Sequence, residues 1–404
     1  MRIQLPYGDY MVPIDVPARN LLDVAQPRSP PGGNPKDIIR EALQRPEGAP
    51  RLGELVGPRS TIAIVVDDQT RPCPTAMMLP LVLEEASVSN VKIIVGNGTH
   101  TPPTEGQIKR ILGHSYRCTW NDAKGKDFAQ VGTTSRGTPV EIERAYMEAD
   151  VGVLLGDIEY HYFAGYGGGR KSILPGISSY ETTQHNHKLM FHPLSTTGVL
   201  AGNPVHEDMM EGADLAGVDF VLNVVQHHGV VGAFAGDHRA VLSGGVSMVD
   251  DLCKVRVKDR ADVVVVAADG GPHDINLYQA HKALATALRV VRDNGVVVLV
   301  AECREGHGSD TFNDWMKRYK RADEIEARLR EEFVIGAHKA YYLRRAQEKV
   351  SVIVASHMDQ EELASFGLLS ARTPQEALER GFAIMGPGAE VTVIPYGTTT
   401  LATL

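Results

Sequence analysis

What most limits how this chain can fold is a series of short, largely apolar runs rich in β-branched residues, with segments of helical pattern between them. "TIAIVVDD" (61–68), "VKIIVGNG" (91–98), "DVGVLLGD" (150–157) and "DFVLNVV" (219–225) show no polar alternation. A strand that is apolar on both faces has to be covered on both faces, which is the environment of a parallel sheet between helix layers. Segments such as "MMLPLVLEEA" (77–86) and "TEGQIKRILG" (104–113) supply helices between the runs. This alternation predicts an α/β fold. A second series, "ADVVVVAADGG" (261–271), "GVVVLVAEC" (295–303), "VSVIVAS" (350–356) and "EVTVIPYG" (390–397), is spaced by helical stretches at 276–291 and 359–383. Four strands with intervening helices suffice for a separate Rossmann-like domain. The expectation is therefore two Rossmann-like α/β domains, 1–258 and 262–404, joined near "VKDRAD" (257–262), with the active site in the cleft between them. "PRSPPGGNP" (27–35) reads as an irregular loop, since Pro and Gly deny helix and ladder bonds.

At 404 residues the chain exceeds one ordinary core. Its 43% hydrophobic and 23% charged content is that of a soluble globular protein. A formal charge of −9 with no Lys/Arg cluster argues against a nucleic-acid partner and favours small molecules. No run reaches the roughly 18 apolar residues of a membrane span, and residues 1–20 lack a secretory pattern, so no membrane association and a cytoplasmic location are expected. Cys73, Cys118, Cys253 and Cys303 are widely spaced, which suggests neither a disulfide framework nor a cysteine zinc site. Any metal would need histidines or a non-protein ligand.

Ligands of open α/β sheets sit beyond the carboxyl ends of the strands, so motifs at those ends carry the most weight. There are three in the first domain: "DDQTRP" (67–72), "GNGTH" (96–100) and "HYFAGYGGGRKSILPG" (161–176). A fourth, "LYQAHK" (277–282), follows the first strand of the second domain. The glycine tract fits neither a P-loop, because Arg170 stands where the glycine before the lysine belongs, nor a dinucleotide fingerprint starting at Gly165 and Gly167. What remains is backbone able to approach a ligand closely, beside the amine of Lys171. In a dry pocket that amine is a nucleophile; in a solvated loop it is only an anion contact. Arg71 presents a planar fork suited to a carboxylate or phosphate, and Asp68 is placed to anchor a ribose hydroxyl or orient that arginine. His100 and His161 are titratable groups at strand ends, although an isolated histidine is more often structural. In "QHNHKLMFH" (184–192), a helix turns His185 and His187 roughly 200° apart, so only one can face a given ion. Tyr278, Gln279 and Lys282 form a polar group whose position favours substrate binding over mere solvation.

Taken together and in this order, these motifs resemble the nickel-pincer lactate racemase family. The resemblance implies a nickel-pincer nucleotide, pyridinium-3-thioamide-5-thiocarboxylic acid mononucleotide, joined through a thioamide to Lys171, with His187 as a nickel ligand. It further implies His100 and His161 as the acid/base pair, with Arg71 and Lys282 holding the substrate carboxylate and Tyr278 and Gln279 lining the pocket. Asp68 and the glycines Gly165, Gly167 and Gly168 would attend the cofactor. Enzymes of cofactor biosynthesis would be maturation partners.

The chemistry agrees with this assignment. Removing the Cα proton of a 2-hydroxy acid is difficult beside an anionic carboxylate, whereas loss of hydride gives a 2-keto acid, and return of hydride to its other face inverts the centre. The expected activity is racemisation of lactate or a related 2-hydroxy carboxylate, an isomerase reaction. The alternatives are a sugar-acid 2-epimerase with the same cofactor, and a non-catalytic nucleotide-phosphate-binding protein in which Lys171 only pairs with an anion.

Overall fold

The structure, a computed structural model, describes residues 1–29, 32–227 and 229–404, so Pro30 and Pro31 of the expected loop lie outside the described residues. The chain divides into two compact units. One is Ser29–Leu252; the other joins Met1–Arg28 to Cys253–Leu404. A first domain running from residue 1 to 258 is thus corrected at both ends. The start of the chain packs in the second unit because Leu21–Val24 adds a parallel strand beside Val391–Ile394, while Ile3, Leu5, Tyr7, Ile14 and Val16 join that unit's core.

Ser29–Leu252 is built on a six-stranded sheet. Its order is Val230–Gly236, Phe220–Gln226, Val151–Asp157, Ile62–Asp67, Val91–Gly96, Cys118–Trp120, parallel throughout except for the first pair. Ile62, Ala63, Ile64, Val65 and Val66 are fully buried, as a central strand covered on both faces requires. Each such Ile or Val side chain contributes about 1.5–3 kcal/mol by leaving water. The covering helices include Pro35–Gln44, which Asn34 caps by accepting from the Lys36 amide and which buries Ile39 and Leu43 one turn apart. Because the chain leaves Ile62–Asp67 first toward one edge and later toward the other, the strand order reverses between Ile62–Asp67 and Val151–Asp157. That switch point opens a crevice beyond the carboxyl ends of these strands.

The other unit has its own six-stranded sheet, all parallel, ordered Leu369–Ala371, Ser351–Ala355, Val291–Val300, Ala261–Ala267, Val391–Ile394, Leu21–Val24. Two expected helices are interrupted. The stretch 359–383 is Gln360–Ser365, the edge strand Leu369–Ala371, then Pro374–Met385, with Gly367 at φ +69° turning the chain into the strand. The stretch 276–291 is two short helices, Leu277–Ala280 and Leu284–Val290, around a 3-10 turn at His281–Ala283, and Val291 already belongs to the next strand. No helix among the described residues is long and apolar enough to cross a membrane.

Candidate active site

Three chain segments meet at the switch point of Ser29–Leu252. After Ile62–Asp67 the chain turns at Asp68, whose Oδ1 accepts from the Thr70 amide (3.1 Å) and hydroxyl (2.7 Å). Its Oδ2 lies 2.6 Å from His100 Nδ1, on the loop after Val91–Gly96. Burial alone pushes the Asp68 carboxyl up, but the facing His100, then Thr70 and Arg71, outweigh it and hold Asp68 below the usual carboxylate range. Both oxygens of Asp68 are therefore engaged within the protein, which points to orienting His100. Arg71 reaches the loop after Val151–Asp157 and donates to Glu159 Oε1 at 2.5 Å. Burial opposes its charge, yet Glu159, Asp67, Asp157 and Asp68 more than offset that and keep the guanidinium protonated. Asp67 and Asp157 are both pushed up, chiefly by burial.

The glycine tract leaves this third strand as a two-residue hairpin, Tyr160–His161 against Gly165–Tyr166, followed by a 3-10 turn, Gly169–Ser172, that carries Lys171. Arg170 is 1% exposed and holds the tract from inside. Its guanidinium donates to the carbonyls of Ala164 (3.1 Å), Tyr166 (2.8 Å), Gly167 (2.8 Å) and Gly168 (3.1 Å). Burial lowers its pKa to about 9. Gly165 and Gly168 sit at φ +79° and +78°, and a Cβ there would lie 2.2 Å from the Val199 carbonyl oxygen and 2.7 Å from Ile158 Cγ1 respectively. The chain's own packing thus demands both glycines. The Gly167 amide donates to the Glu159 carbonyl at 2.7 Å, closing the hairpin's base.

His187 lies on the inward face of Tyr180–Lys188, 8% exposed, while His185 faces outward and bonds the Glu181 carbonyl. Burial, then the neighbouring Lys171 ammonium, lowers the pKa of His187 to about 3, with His100 a smaller contributor. At neutral pH it is an uncharged imidazole, the form that binds metals. The Phe163 ring packs edge-on against both His161 and His187, with centroids 4.6 and 5.1 Å away. Among the described residues no three His, Cys, Asp or Glu side chains cluster to hold a metal ion. One neutral imidazole beside a half-buried amine fits a metal whose other donors come from an organic group attached nearby.

In the other unit, Tyr278, Gln279 and Lys282 share the turn Leu277–Ala283, capped by Asn276 through the Gln279 amide (3.0 Å). Sequence reasoning missed Lys339. It is 5% exposed, donates to the Tyr278 carbonyl at 2.9 Å and sits 3.5 Å from the Tyr278 ring centroid. Burial, then Lys339 and Lys282, holds the imidazole of His281 well below its usual range. Glu159 and Arg170 were also missed. Glu159 stands two residues beyond a strand end, where the strand-end rule would have found it; nothing local marks Arg170 as buried or Lys339 as a neighbour of Tyr278.

Residues 7–198 match the model of the lactate racemase N-terminal domain and residues 256–402 that of the lactate racemase C-terminal domain. The chain belongs to the lactate racemase family. Racemases are isomerases, and the chain is an enzyme of that class. It is 33% identical to a lactate racemase of Thermoanaerobacterium thermosaccharolyticum over 99% of this chain and 98% of that one. It is 31% identical to a lactate racemase of Lactiplantibacillus plantarum over 90% of this chain and 89% of that one. The solved lactate racemase apoprotein from T. thermosaccharolyticum superposes with a TM-score of 0.95 at 32% identity, covering 100% of both chains. A Thermotoga maritima protein shares the fold at TM-score 0.71 and 18% identity, covering 92% of this chain and 99% of that one.

Proposed function

We propose that this enzyme racemises a 2-hydroxy carboxylate, lactate or a close relative, with a nickel-pincer nucleotide carried on Lys171. The observation that carries the reading is the grouping of the Lys171 amine with a neutral, buried His187 beside the Asp68–His100 pair. Lys171 would hold the organic group through a thioamide, and His187 would supply one nickel ligand. When bound, that group supplies the hydride acceptor and donor through which the substrate passes by way of a 2-keto acid. The chain's own residues do the rest. Arg71 would hold the substrate carboxylate, and His100 and His161 would address the hydroxyl oxygen. Glu159 accepts from one N–H of the Arg71 fork.

The test is a chiral assay. The chain, produced beside enzymes that make the cofactor, is expected to convert L-lactate or a related 2-hydroxy acid into its enantiomer, and the reverse, until the two are equal. Protein whose intact mass shows the adduct, yet which leaves short and polyhydroxylated 2-hydroxy acids optically unchanged, would contradict the reading.

A further inference from the structure

Arg71, the guanidinium given to the substrate carboxylate, stands among more acids than its charge can balance. The carboxyls that act on it are those of Glu159, Asp67, Asp157 and Asp68. Asp68 already faces His100, which leaves three carboxyls to one guanidinium. Asp67 and Asp157 end the adjacent parallel strands Ile62–Asp67 and Val151–Asp157. The Asp157 amide donates to the Asp67 carboxyl. Asp67 Oδ2 lies over Gly156, 3.1 Å from where a Cβ would sit. Gln226, at the end of Phe220–Gln226, donates to Asp157 Oδ2 (3.1 Å) and to the Pro72 carbonyl (3.2 Å), and so ties Asp157 to the residue after Arg71. The other titratable group facing Asp67 and Asp157 is Cys73, whose thiol burial keeps protonated.

Were all three ionised, two negative charges would stand in excess of Arg71, which disfavours both their burial and the approach of an anion. Neighbouring carboxyls in such a place share a proton instead. Burial is the largest cause raising both Asp67 and Asp157; Glu159 adds to it, and Arg71 opposes it without cancelling it. Resting on the racemase reading, we propose that Asp67 and Asp157 are positioning residues that hold one proton between them, which leaves the charge of Arg71 to attract the substrate carboxylate. When rising pH removes that proton to water, an O–H bond breaks and a second carboxylate forms beside Arg71. The substrate then meets a more negative site and binds more weakly.

Two measurements test this on the full chain. With aspartate labelled by 13C at the carboxyl, spectra across a pH titration are expected to show a proton kept at neutral pH by the Asp67 and Asp157 carboxyls. Their signals are assigned by loss in Asp67→Asn and Asp157→Asn. Both carboxyls ionising together with exposed aspartates in acid overturns the proposal. In the chiral assay, wild-type KM is expected to rise from mildly acidic to alkaline pH, by at most about tenfold per pH unit for one proton. Asp157→Asn removes one charge, and its amide oxygen still accepts from Gln226, so it imitates the protonated pair. Its KM is expected to stay low and flat with pH, the effect falling on KM rather than on kcat. Asp67→Asn is expected to give the same flat profile, which serves if either variant fails to fold. A folded variant whose KM still climbs with pH as in wild type also overturns the proposal. If the wild-type enzyme racemises no 2-hydroxy acid, the functional reading fails, and the spectra still decide whether the proton is shared.

Discussion

Lys171→Arg is expected to abolish racemisation and remove the cofactor mass from the purified protein, while leaving its fold and thermal midpoint close to wild type. Arginine keeps the positive charge, so His187 retains a cationic neighbour. Its guanidinium stays protonated and is no nucleophile, so it cannot form a thioamide. The fold is expected to survive because the glycine tract is held by Arg170, whose four carbonyl bonds owe nothing to the Lys171 side chain. A solvated or merely anion-pairing lysine predicts the opposite, since arginine pairs with anions at least as well. Intact-mass analysis and the chiral assay on the same preparation separate the two. Retained adduct with retained activity would place the attachment elsewhere.

The second large effect is expected at His100 and at the carboxylate behind it. His100→Ala removes one member of the proposed acid/base pair, and general acid/base groups typically contribute about 10²–10⁴-fold in rate. Asp68→Asn is expected to fall in the same range with the fold intact. An amide can present N–H to Nδ1, which moves the imidazole proton to Nε2 and removes the lone pair that accepts the hydroxyl proton; the equivalent change in a serine-protease triad acts in this way. Because two enantiomers have equal free energy, kcat/KM must fall by one common factor in both directions. The measurement is initial-rate kinetics from each enantiomer. Asp68→Asn with unchanged kcat would reduce Asp68 to a structural turn residue.

The four inner strands of each sheet were legible in the sequence because a strand covered on both faces is apolar nearly throughout, and few other elements look like Val263–Val266 or Ile62–Val66. The strand-end rule likewise picked out Asp68, Arg71, His100 and His161. What was not legible depends on partners distant in sequence. Leu21–Val24 is four residues interrupted by Asp23, and nothing local assigns it to the edge beside Val391–Ile394. Arg170 reads as half of a basic pair, yet it is the cation inside the tract, because its partners are carbonyls that every sequence has. Glu159 meets Arg71 across 88 residues and Lys339 meets Tyr278 across 61, so no window of sequence holds either pair. The edge strand Leu369–Ala371 was lost for another reason: three residues are too few to show a period.

The central claim is that the substrate's own C2 hydrogen is carried away and returned as hydride, without mixing with water. It is tested most directly by racemising unlabelled L-lactate, or whichever 2-hydroxy acid the enzyme accepts, in heavy water and measuring mass at C2 in the newly formed enantiomer at partial conversion. The account predicts a product with almost no deuterium at C2, together with a primary isotope effect when the substrate is labelled there instead. Removal of the C2 hydrogen as a proton by a side-chain base would let it exchange with the medium. One solvent deuterium per product molecule would contradict the account and, with it, the role given to Lys171.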